Sequence, residues 1–190
     1  MEPRQITIRQ ATPNDVEAIV ELNFLSHREA FRNIVPDEIL DLPPLSPERI
    51  AFRSQLLRDD NFTHVLAIDS NELVGFCCVG PSVAYPNLTA DPTALEVRTL
   101  YIRGSHQGIG LGRLLFYEAV ELTFKKCPRE HLIVLVFEEN RNARKFYEKL
   151  GGRCKLCIQY FYEGSEYPCC VYEWNGLREW LQKWGLQKKH

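Results

Sequence analysis

The sequence has no long apolar run, no excess of charge of either sign and no leader-like start. No stretch approaches the roughly 18 apolar residues of a membrane-spanning helix, and Met1–Gln5 lacks the basic flank and apolar run of a signal peptide. Lys and Arg number 23 against 25 Asp and Glu, and the resulting net charge of −2 attracts no polyanion. We therefore expect a cytoplasmic protein with neither nucleic acid nor membrane as its main partner.

The length and composition suit one folded domain. The chain has 190 residues, of which 45% are hydrophobic and 25% charged, and a domain commonly takes about 100–200 residues. No internal repeat is evident. We expect one domain over 1–175, followed by a C-terminal helix or tail over 176–190.

The seven cysteines are an odd number in a chain of this length, which favours reduced thiols over a disulfide framework. Cys154 and Cys157 have the spacing of a zinc-ligand pair, and Cys169 and Cys170 follow in the next strand. Both pairs lie in predicted strands, where residues three apart, like adjacent ones, point to opposite faces. The sequence therefore predicts buried structural thiols and no metal site.

Apolar periodicity and turn signals predict a mixed α+β fold with a largely antiparallel sheet. The predicted strands are Ile6–Arg9, Thr63–Ile68, Leu73–Val79, Leu95–Ile102, Leu132–Phe137, Cys154–Tyr162 and Tyr167–Trp174. Capping signals and apolar faces predict helices over 12–32, 46–58, 140–150 and 177–187, with another beginning near Leu111. Four-residue turns are predicted at Asp69–Glu72 and Glu163–Glu166.

The most informative segment is the glycine-rich loop Gln107–Arg113, which lies between a predicted strand and a predicted helix. Glycines let the backbone approach an anion closely, and the amides that open a helix point at the ligand. The GxGxxG pattern fails because Arg113 stands where the third glycine is needed, and no GxxxxGK[ST] occurs. The loop is either a phosphate cradle or a turn without a ligand.

Gln107, Gly110 and Gly112 form a pattern that resembles the Q/R-x-x-G-x-G/A loop of the GNAT superfamily of N-acetyltransferases. Residues 140–151 are similar to a second motif of that family, N-x-x-A-x-x-x-Y-E-K-x-G. The resemblance implies a sheet of about seven strands flanked by about four helices and splayed after the fourth strand. Gly152 departs from the family, because many members carry an aromatic residue there.

The resemblance implies that acetyl-CoA binds as cosubstrate in the splay. The strand backbone would pair with the pantetheine arm, the Leu100 N–H would stabilise the oxyanion, and the loop amides would hold the pyrophosphate. The residues so implied to contact acetyl-CoA are Leu100, Tyr101, Ile102, Gln107, Gly108, Ile109, Gly110, Leu111, Gly112, Arg113, Asn140 and Ala143.

Two residues are candidates for proton transfer. Glu96 lies 11 residues before Gln107, where histone-acetylating relatives carry a base, so that Glu96 or a water would take the amine proton. Tyr147 stands where the family often uses a tyrosine hydroxyl to protonate the departing thiolate. Glu96 as an ordinary sheet-surface glutamate and Tyr147 as a packing aromatic are the alternatives.

The resemblance thus implies an acyl-CoA-dependent N-acyltransferase that moves an acetyl group to a primary amine of a small molecule or peptide by direct attack in a ternary complex. Three alternatives stay open: a covalent cysteine route, a non-catalytic acyl-CoA sensor or scaffold, and a nucleotide-binding module. The acceptor's identity, acetyl against longer acyl groups, and homodimer formation are also open. Candidate acceptor contacts are Glu138, Glu139, Tyr160, Tyr162, Glu163, Glu166 and Tyr167, with an ordinary solvated turn as the alternative.

Overall fold

A computed structural model describes residues 5–41, 45–82 and 93–187. The described residues form seven strands and six α-helices. In chain order these are β1 Ile6–Gln10, α1 Val16–Phe31, α2 Asp37–Leu40, α3 Pro47–Arg58, β2 Thr63–Asp69, β3 Glu72–Pro81, β4 Leu95–Ile102, α4 Leu111–Lys126, β5 His131–Phe137, α5 Arg141–Lys149, β6 Arg153–Tyr162, β7 Ser165–Asn175 and α6 Leu177–Gln187.

The strands follow the hydrogen-bonded order β1-β2-β3-β4-β5-β7-β6. The β1–β2, β2–β3, β5–β7 and β6–β7 pairs are antiparallel, whereas β4 and β5 are parallel. The predicted α+β class with a mostly antiparallel sheet is confirmed. The helices number six rather than about four, because the count includes the single turn α2 and the terminal α6. None of the described helices combines the length and apolar character needed to cross a bilayer.

The ladder between β4 and β5 is short. Leu95 pairs with Leu132 and Glu96 pairs with Ile133, and in the described part of the chain the ladder has no further pair. Six of the eight β4 residues therefore lie beyond the ladder.

The contacts between residues divide the chain into two compact units. The first comprises the residues up to Val79 together with Thr99–Thr123. Its helices α1 and α3 begin at capping residues read from the sequence. Thr12 and Asp15 form a capping box ahead of α1, and the Ser46 hydroxyl accepts from the Arg49 amide. A core cluster of this unit consists of Ile19, Leu22, Leu66, Leu73 and Phe76.

The second unit comprises Gly80–Arg98 and the residues from Phe124 onward. Strand β5 is central here, because it pairs with both β4 and β7. The fully buried side chains of Leu132, Ile133, Tyr172 and Leu177 anchor its core. Leu177 also ties α6 to the start of β5, since its amide donates to the Glu130 carbonyl at 3.0 Å.

Both predicted four-residue turns are two residues long. Ser70 and Asn71 connect β2 to β3 with φ of 50° and 70°, and Glu163 and Gly164 connect β6 to β7 with φ of 46° and 87°. Positive φ at both central residues is the geometry of the type I′ turn, whose twist matches that of paired strands. Three of these four residues are not glycine, which is why the sequence did not indicate two-residue turns.

A bulge in β6 changes the direction in which its cysteines point. Cys154 pairs with Tyr172 and Leu156 pairs with Val171, so Lys155 is an extra residue in the ladder. The bulge brings the Sγ atoms of Cys154, Cys157 and Cys170 within 4.8 Å of one another. The prediction that Cys154 and Cys157 point to opposite faces is therefore wrong, and all seven cysteines are free thiols in the structure.

Trp174 accounts for the glycine at position 152. A Cβ at Gly152 would lie 2.6 Å from Trp174 Cζ2 and 3.0 Å from the Tyr147 carbonyl oxygen. The indole is 3% exposed and donates to the Leu150 carbonyl at 3.0 Å. An aromatic ring from β7 thus occupies the space beside the end of α5 that a side chain at position 152 would need.

We expect Gly152→Ala to lower the free energy of unfolding by about 1–3 kcal/mol, because overpacking a filled core forces neighbours to shift. For a chain of this size the thermal midpoint should fall by roughly 2–4 °C per kcal/mol. Trp174→Phe removes the ring atoms nearest to the new methyl group. The double variant should therefore lose less than the two single losses combined, and strict additivity in thermal unfolding would contradict this packing.

Candidate functional site

The loop after β4 has an open, glycine-determined backbone. Gly108 and Gly110 have φ of 78° and 86°, the left-handed region that favours glycine. A Cβ at either position would meet nothing within 4 Å. Protein packing therefore does not explain the glycines, and the open space beside them could accept a ligand close to the backbone.

Helix α4 begins inside this loop. The Leu114 amide donates to the Gly110 carbonyl at 3.1 Å, and the amides just before it have no acceptor within the helix. These amides and the positive end of the helix dipole favour an anion. Arg113 is exposed, and Ile109 is 53% exposed at the tip of the loop. The predicted cradle residues are therefore brought together at one helix start.

Two side-chain anchors hold the loop in the first unit. Gln107 Nε2 donates to the Ile102 carbonyl at 3.0 Å and so ties the motif glutamine to the end of β4. His106, which is buried, lies with Nε2 2.9 Å from Asp69 Oδ2 and Nδ1 2.9 Å from Ser105 Oγ. No sequence signal indicates the contact between His106 and Asp69, since the two are 37 positions apart and no local pattern links them.

The end of β4 uses its side chains for packing. The Tyr101 ring contacts His27 and Phe76 at centroid distances of 5.0 and 6.1 Å. Ile102 Cδ1 lies 2.7 Å from the position that a Cβ on Gly75 would take. Because these side chains are used for packing, only the main-chain atoms of Tyr101 and Ile102 are left to contact a ligand. The family resemblance implies the same for Leu100.

His27 is an uncharged member of this packing. Burial lowers the pKa of its imidazole to about 4, and the positive charges of Arg49 and Arg53 act in the same direction. The ring is therefore neutral at pH 7 and packs against Phe31 at 4.9 Å. His27 is therefore a neutral packing residue of the first unit.

Glu96 lies on β4 in the second unit and is only 7% exposed. Burial raises the pKa of its carboxyl, whereas the Arg98 charge and the Ser82 hydroxyl lower it without cancelling that rise. Arg98 Nη1 lies 3.6 Å from Glu96 Oε2. Glu96 is thus not the exposed sheet-surface glutamate of the alternative interpretation, and a raised pKa makes its carboxylate a stronger base.

Tyr147 is buried on α5 with 6% of its surface exposed. Its ring contacts Phe146 and Trp174 edge-on at 5.1 and 6.1 Å. Its carbonyl accepts from the Gly152 amide at 3.0 Å, which fixes the end of the helix. Tyr147 therefore packs as an aromatic, and such packing is compatible with a role for its hydroxyl.

Helix α5 is held at its first turn by polar contacts. Asn140 Oδ1 accepts from the Ala143 amide at 3.1 Å, so Asn140 is the N-cap and the Ala143 donor is occupied. Arg144 Nε donates to the Tyr172 hydroxyl at 3.1 Å, which in turn donates to Glu148 Oε1 at 2.7 Å. No sequence signal indicates this Arg144–Tyr172–Glu148 chain, because Tyr172 belongs to a strand outside the two motifs.

The tyrosines predicted as acceptor contacts converge on one ring. Phe137, at the end of β5, has Tyr160, Tyr162 and Tyr167 at centroid distances of 6.3, 5.8 and 5.5 Å. The candidate carboxylates of Glu138, Glu139, Glu163 and Glu166 are exposed. Aromatic faces with nearby carboxylates can attract a cationic group.

Comparisons with known proteins identify the family. The sequence model described as the acetyltransferase (GNAT) family matches residues 24–152. A Mycobacterium tuberculosis protein described as a "probable N-acetyltransferase" is 26% identical over 151 residues, which cover 78% of this chain and 80% of that protein.

Solved structures share the fold. The PaiA N-acetyltransferase from Thermoplasma acidophilum in complex with coenzyme A has a TM-score of 0.67 and 20% identity, covering 90% of this chain and 99% of that one. NAA60 of Arabidopsis thaliana, in complex with a bisubstrate analogue, has a TM-score of 0.66 and 19% identity, covering 90% of this chain and 98% of that one. The family match spans well over half of the sequence, and the chain therefore belongs to the acetyltransferase (GNAT) family.

Proposed function

We propose that this protein is an acetyl-CoA-dependent N-acetyltransferase whose pyrophosphate cradle is the loop from Gln107 to Arg113. The observation that carries the proposal is that Gly108 and Gly110, with positive φ and open space at their Cβ positions, lie directly before the first turn of α4. The amides that open α4 follow directly, and the dipole of that helix favours a phosphate. The complex of the Thermoplasma acidophilum relative with coenzyme A supports the choice of ligand.

The thioester of acetyl-CoA supplies an activated acyl group. In the proposal the Leu100 N–H donates to the thioester carbonyl oxygen, where negative charge develops on attack, and one such donor is worth about 10²–10³ in rate. Main-chain groups of Tyr101 and Ile102 hold the pantetheine arm. Packing of the Tyr101 and Ile102 side chains supports this assignment, since it fixes the backbone that would contact the pantetheine arm.

Glu96 is the proposed base. An alkyl ammonium of pKa about 10.4 is neutral in only about one molecule in two thousand at pH 7, so the acceptor must lose a proton before it attacks. Burial raises the pKa of Glu96 and so increases the basicity of its carboxylate. The proton passes to Glu96 directly or through a water.

Tyr147 is the proposed hydrogen-bond donor to the departing thiolate. A phenol of pKa about 10 and a thiol of pKa about 8.5 are close enough for a positioned hydroxyl to share its proton. The ring contacts of Tyr147 with Phe146 and Trp174 hold the side chain in place at little entropic cost. Asn140 keeps the helix start fixed as its N-cap.

The attack is direct rather than through a cysteine. Neither motif contains a cysteine, and burial raises the pKa of the Cys77 thiol well above its usual range, so that thiol is a poor nucleophile. A bisubstrate analogue bound to the Arabidopsis relative supports simultaneous binding of both substrates. The acceptor is a primary amine of a small molecule or peptide, attracted by the exposed carboxylates of Glu138, Glu139, Glu163 and Glu166.

Acetyl-CoA should raise the thermal midpoint of the wild-type chain, whereas ATP and NAD should not. A ligand at about 100 Kd adds about 2.7 kcal/mol, or roughly 5–10 °C for a chain of this size. Gly110→Ala should lose most of this rise, because its Cβ enters the cradle. Gly164→Ala is the matched control, since Gly164 has φ of 87° and equally open space in the β6–β7 turn.

Both glycine variants should lose similar stability without ligand, and only Gly110→Ala should lose the response to acetyl-CoA. Absence of a wild-type shift at saturating acetyl-CoA would refute the cradle. A normal shift without any acetylated product from a broad amine panel would instead favour the sensor or scaffold.

Glu96→Gln should lower kcat/KM by about 10²–10⁴ with a reactive amine, the range for loss of a general base. The carboxylate is the active form, so wild-type activity rises with pH through the raised pKa of Glu96 and this limb should vanish in the variant. Glu179→Gln is the control, because Glu179 is an exposed carboxylate in the same unit. An unchanged pH–rate profile in Glu96→Gln would place the base elsewhere.

Tyr147→Phe should lower kcat by roughly 10²-fold at pH 7, and the deficit should shrink above pH of about 8.5, where a thiolate leaves without a proton. Its thermal midpoint should change little because the ring remains. Tyr172→Phe is the control, since it breaks the hydrogen bonds with Arg144 and Glu148 and should cost stability rather than kcat. Equal kcat for Tyr147→Phe and wild type at every pH would exclude the acid role.

A further inference from the structure

Three thiols that the proposed acyl transfer does not use meet on one face of the β6–β7 hairpin. The Sγ atoms of Cys154, Cys157 and Cys170 all lie within 4.8 Å of one another, and those of Cys157 and Cys170 are 3.5 Å apart. Cys154 and Cys157 are exposed, whereas Cys170 is buried. The cluster can therefore be reached from solvent on one side and is backed by the protein core on the other.

The bulge at Lys155 creates this cluster. Cys170 and Tyr172 are two residues apart on β7 and so share a face of the sheet. Cys157 is opposite Cys170 and Cys154 is opposite Tyr172, which places both cysteines of β6 on that face. In a regular ladder Lys155 would be opposite Tyr172, and Cys154 would lie on the other face. The extra residue thus supplies the third sulfur.

We propose that Cys154, Cys157 and Cys170 form a zinc site with three thiolate ligands and a fourth position open to water. Zinc binds thiolate at about 2.3 Å in tetrahedral geometry, which corresponds to sulfur atoms about 3.8 Å apart. The observed separations of 3.5 Å and up to 4.8 Å bracket that distance, so side-chain rotation within the hairpin suffices. The ligands come from two strands, and the ion therefore cross-links β6 to β7.

The charge beside the cluster suits such a site. Each thiol releases its proton to solvent as its sulfur binds, so Zn²⁺ with three thiolates carries 2 − 3 = −1. The Arg144 guanidinium is close enough to lower the pKa of the Cys154 and Cys170 thiols, although burial raises both pKa values overall. Arg144 is itself fixed by its bonds to the Tyr172 hydroxyl and the Glu138 carbonyl. A fixed cation thus offsets the excess negative charge.

The test uses the full chain without a histidine tag, fully reduced and then freed of reductant under anaerobic conditions. Zn²⁺ is titrated in competition with a chromophoric chelator, and Co²⁺ serves as a spectroscopic probe for tetrahedral thiolate ligation. We expect one tight site per chain and thiolate-to-cobalt charge-transfer absorption. Zn²⁺ at about 100 Kd should raise the thermal midpoint by roughly 5–10 °C.

Cys154→Ser and Cys157→Ser should each weaken zinc binding by about 100-fold or more, because even loss of an outer partner of a metal ligand costs about 10–100-fold. Both positions are exposed, so these variants should fold, unlike changes at buried Cys170. Cys127→Ser is the matched control, since Cys127 is also an exposed free thiol but lies outside the cluster. Its affinity for zinc should equal that of the wild type.

Failure of the reduced wild-type chain to bind Zn²⁺, or binding that survives both Cys154→Ser and Cys157→Ser, would overturn the proposal. The proposal would also be overturned if the reduced chain bound no zinc and lost two thiols in air to a Cys157–Cys170 disulfide. The two cysteines would then be an oxidisable pair. These readouts do not involve acetyl-CoA, so they stand apart from the test of acyl transfer.

Discussion

Strand register is the constraint on which the positions of the functional groups depend. In an antiparallel pair each residue has one fixed partner, and a shift of one residue would turn every side chain to the other face. The two-residue turn at Ser70 and Asn71 sets the β2–β3 register and thereby places Asp69, which holds His106. The β5–β7 register places Trp174 opposite Leu132, with its indole beside Gly152.

The buried carboxyl of Glu96 illustrates how position within the sheet determines chemistry. Burial without a partner would force the carboxyl to stay protonated, and a tight ion pair would make it too weak a base. Arg98 at 3.6 Å offsets only part of the desolvation, so the pKa of Glu96 is raised. A general base for an amine needs this intermediate balance.

The sequence predicted the elements governed by local interactions. The bounds of β4 and the caps at Thr12, Ser46 and Asn140 could be read directly, because a cap depends on residues three positions apart. The family resemblance through two motifs is also confirmed. The short helix α2 escaped notice, since a single turn of four residues has too little periodicity to detect.

The features that could not be predicted depend on contacts between distant segments. The His106–Asp69 contact joins a loop to a strand end, and the Trp174 indole fills space beside a glycine 22 positions earlier. Backbone conformation was equally unpredictable at Ser70, Asn71 and Glu163, because residues other than glycine rarely adopt positive φ. The bulge at Lys155 leaves no signature in the alternation of β6, although it alone decides which face Cys154 occupies.

Burial and nearby charge act in opposite directions on the thiols of this protein. A thiol acts as nucleophile or metal ligand only as thiolate, and a nearby cation is what favours that form. Cys77 is fully buried, and the neighbouring Cys78 adds to the rise in its pKa, so Cys77 is a poor source of thiolate for covalent acyl transfer. Burial also raises the pKa of Cys154 and Cys170, outside both motifs, although the Arg144 charge there acts in the opposite direction. Thiolates in the cluster therefore need a bound cation to form, and the proposed zinc site rests on the arrangement of the sulfur atoms rather than on their pKa values.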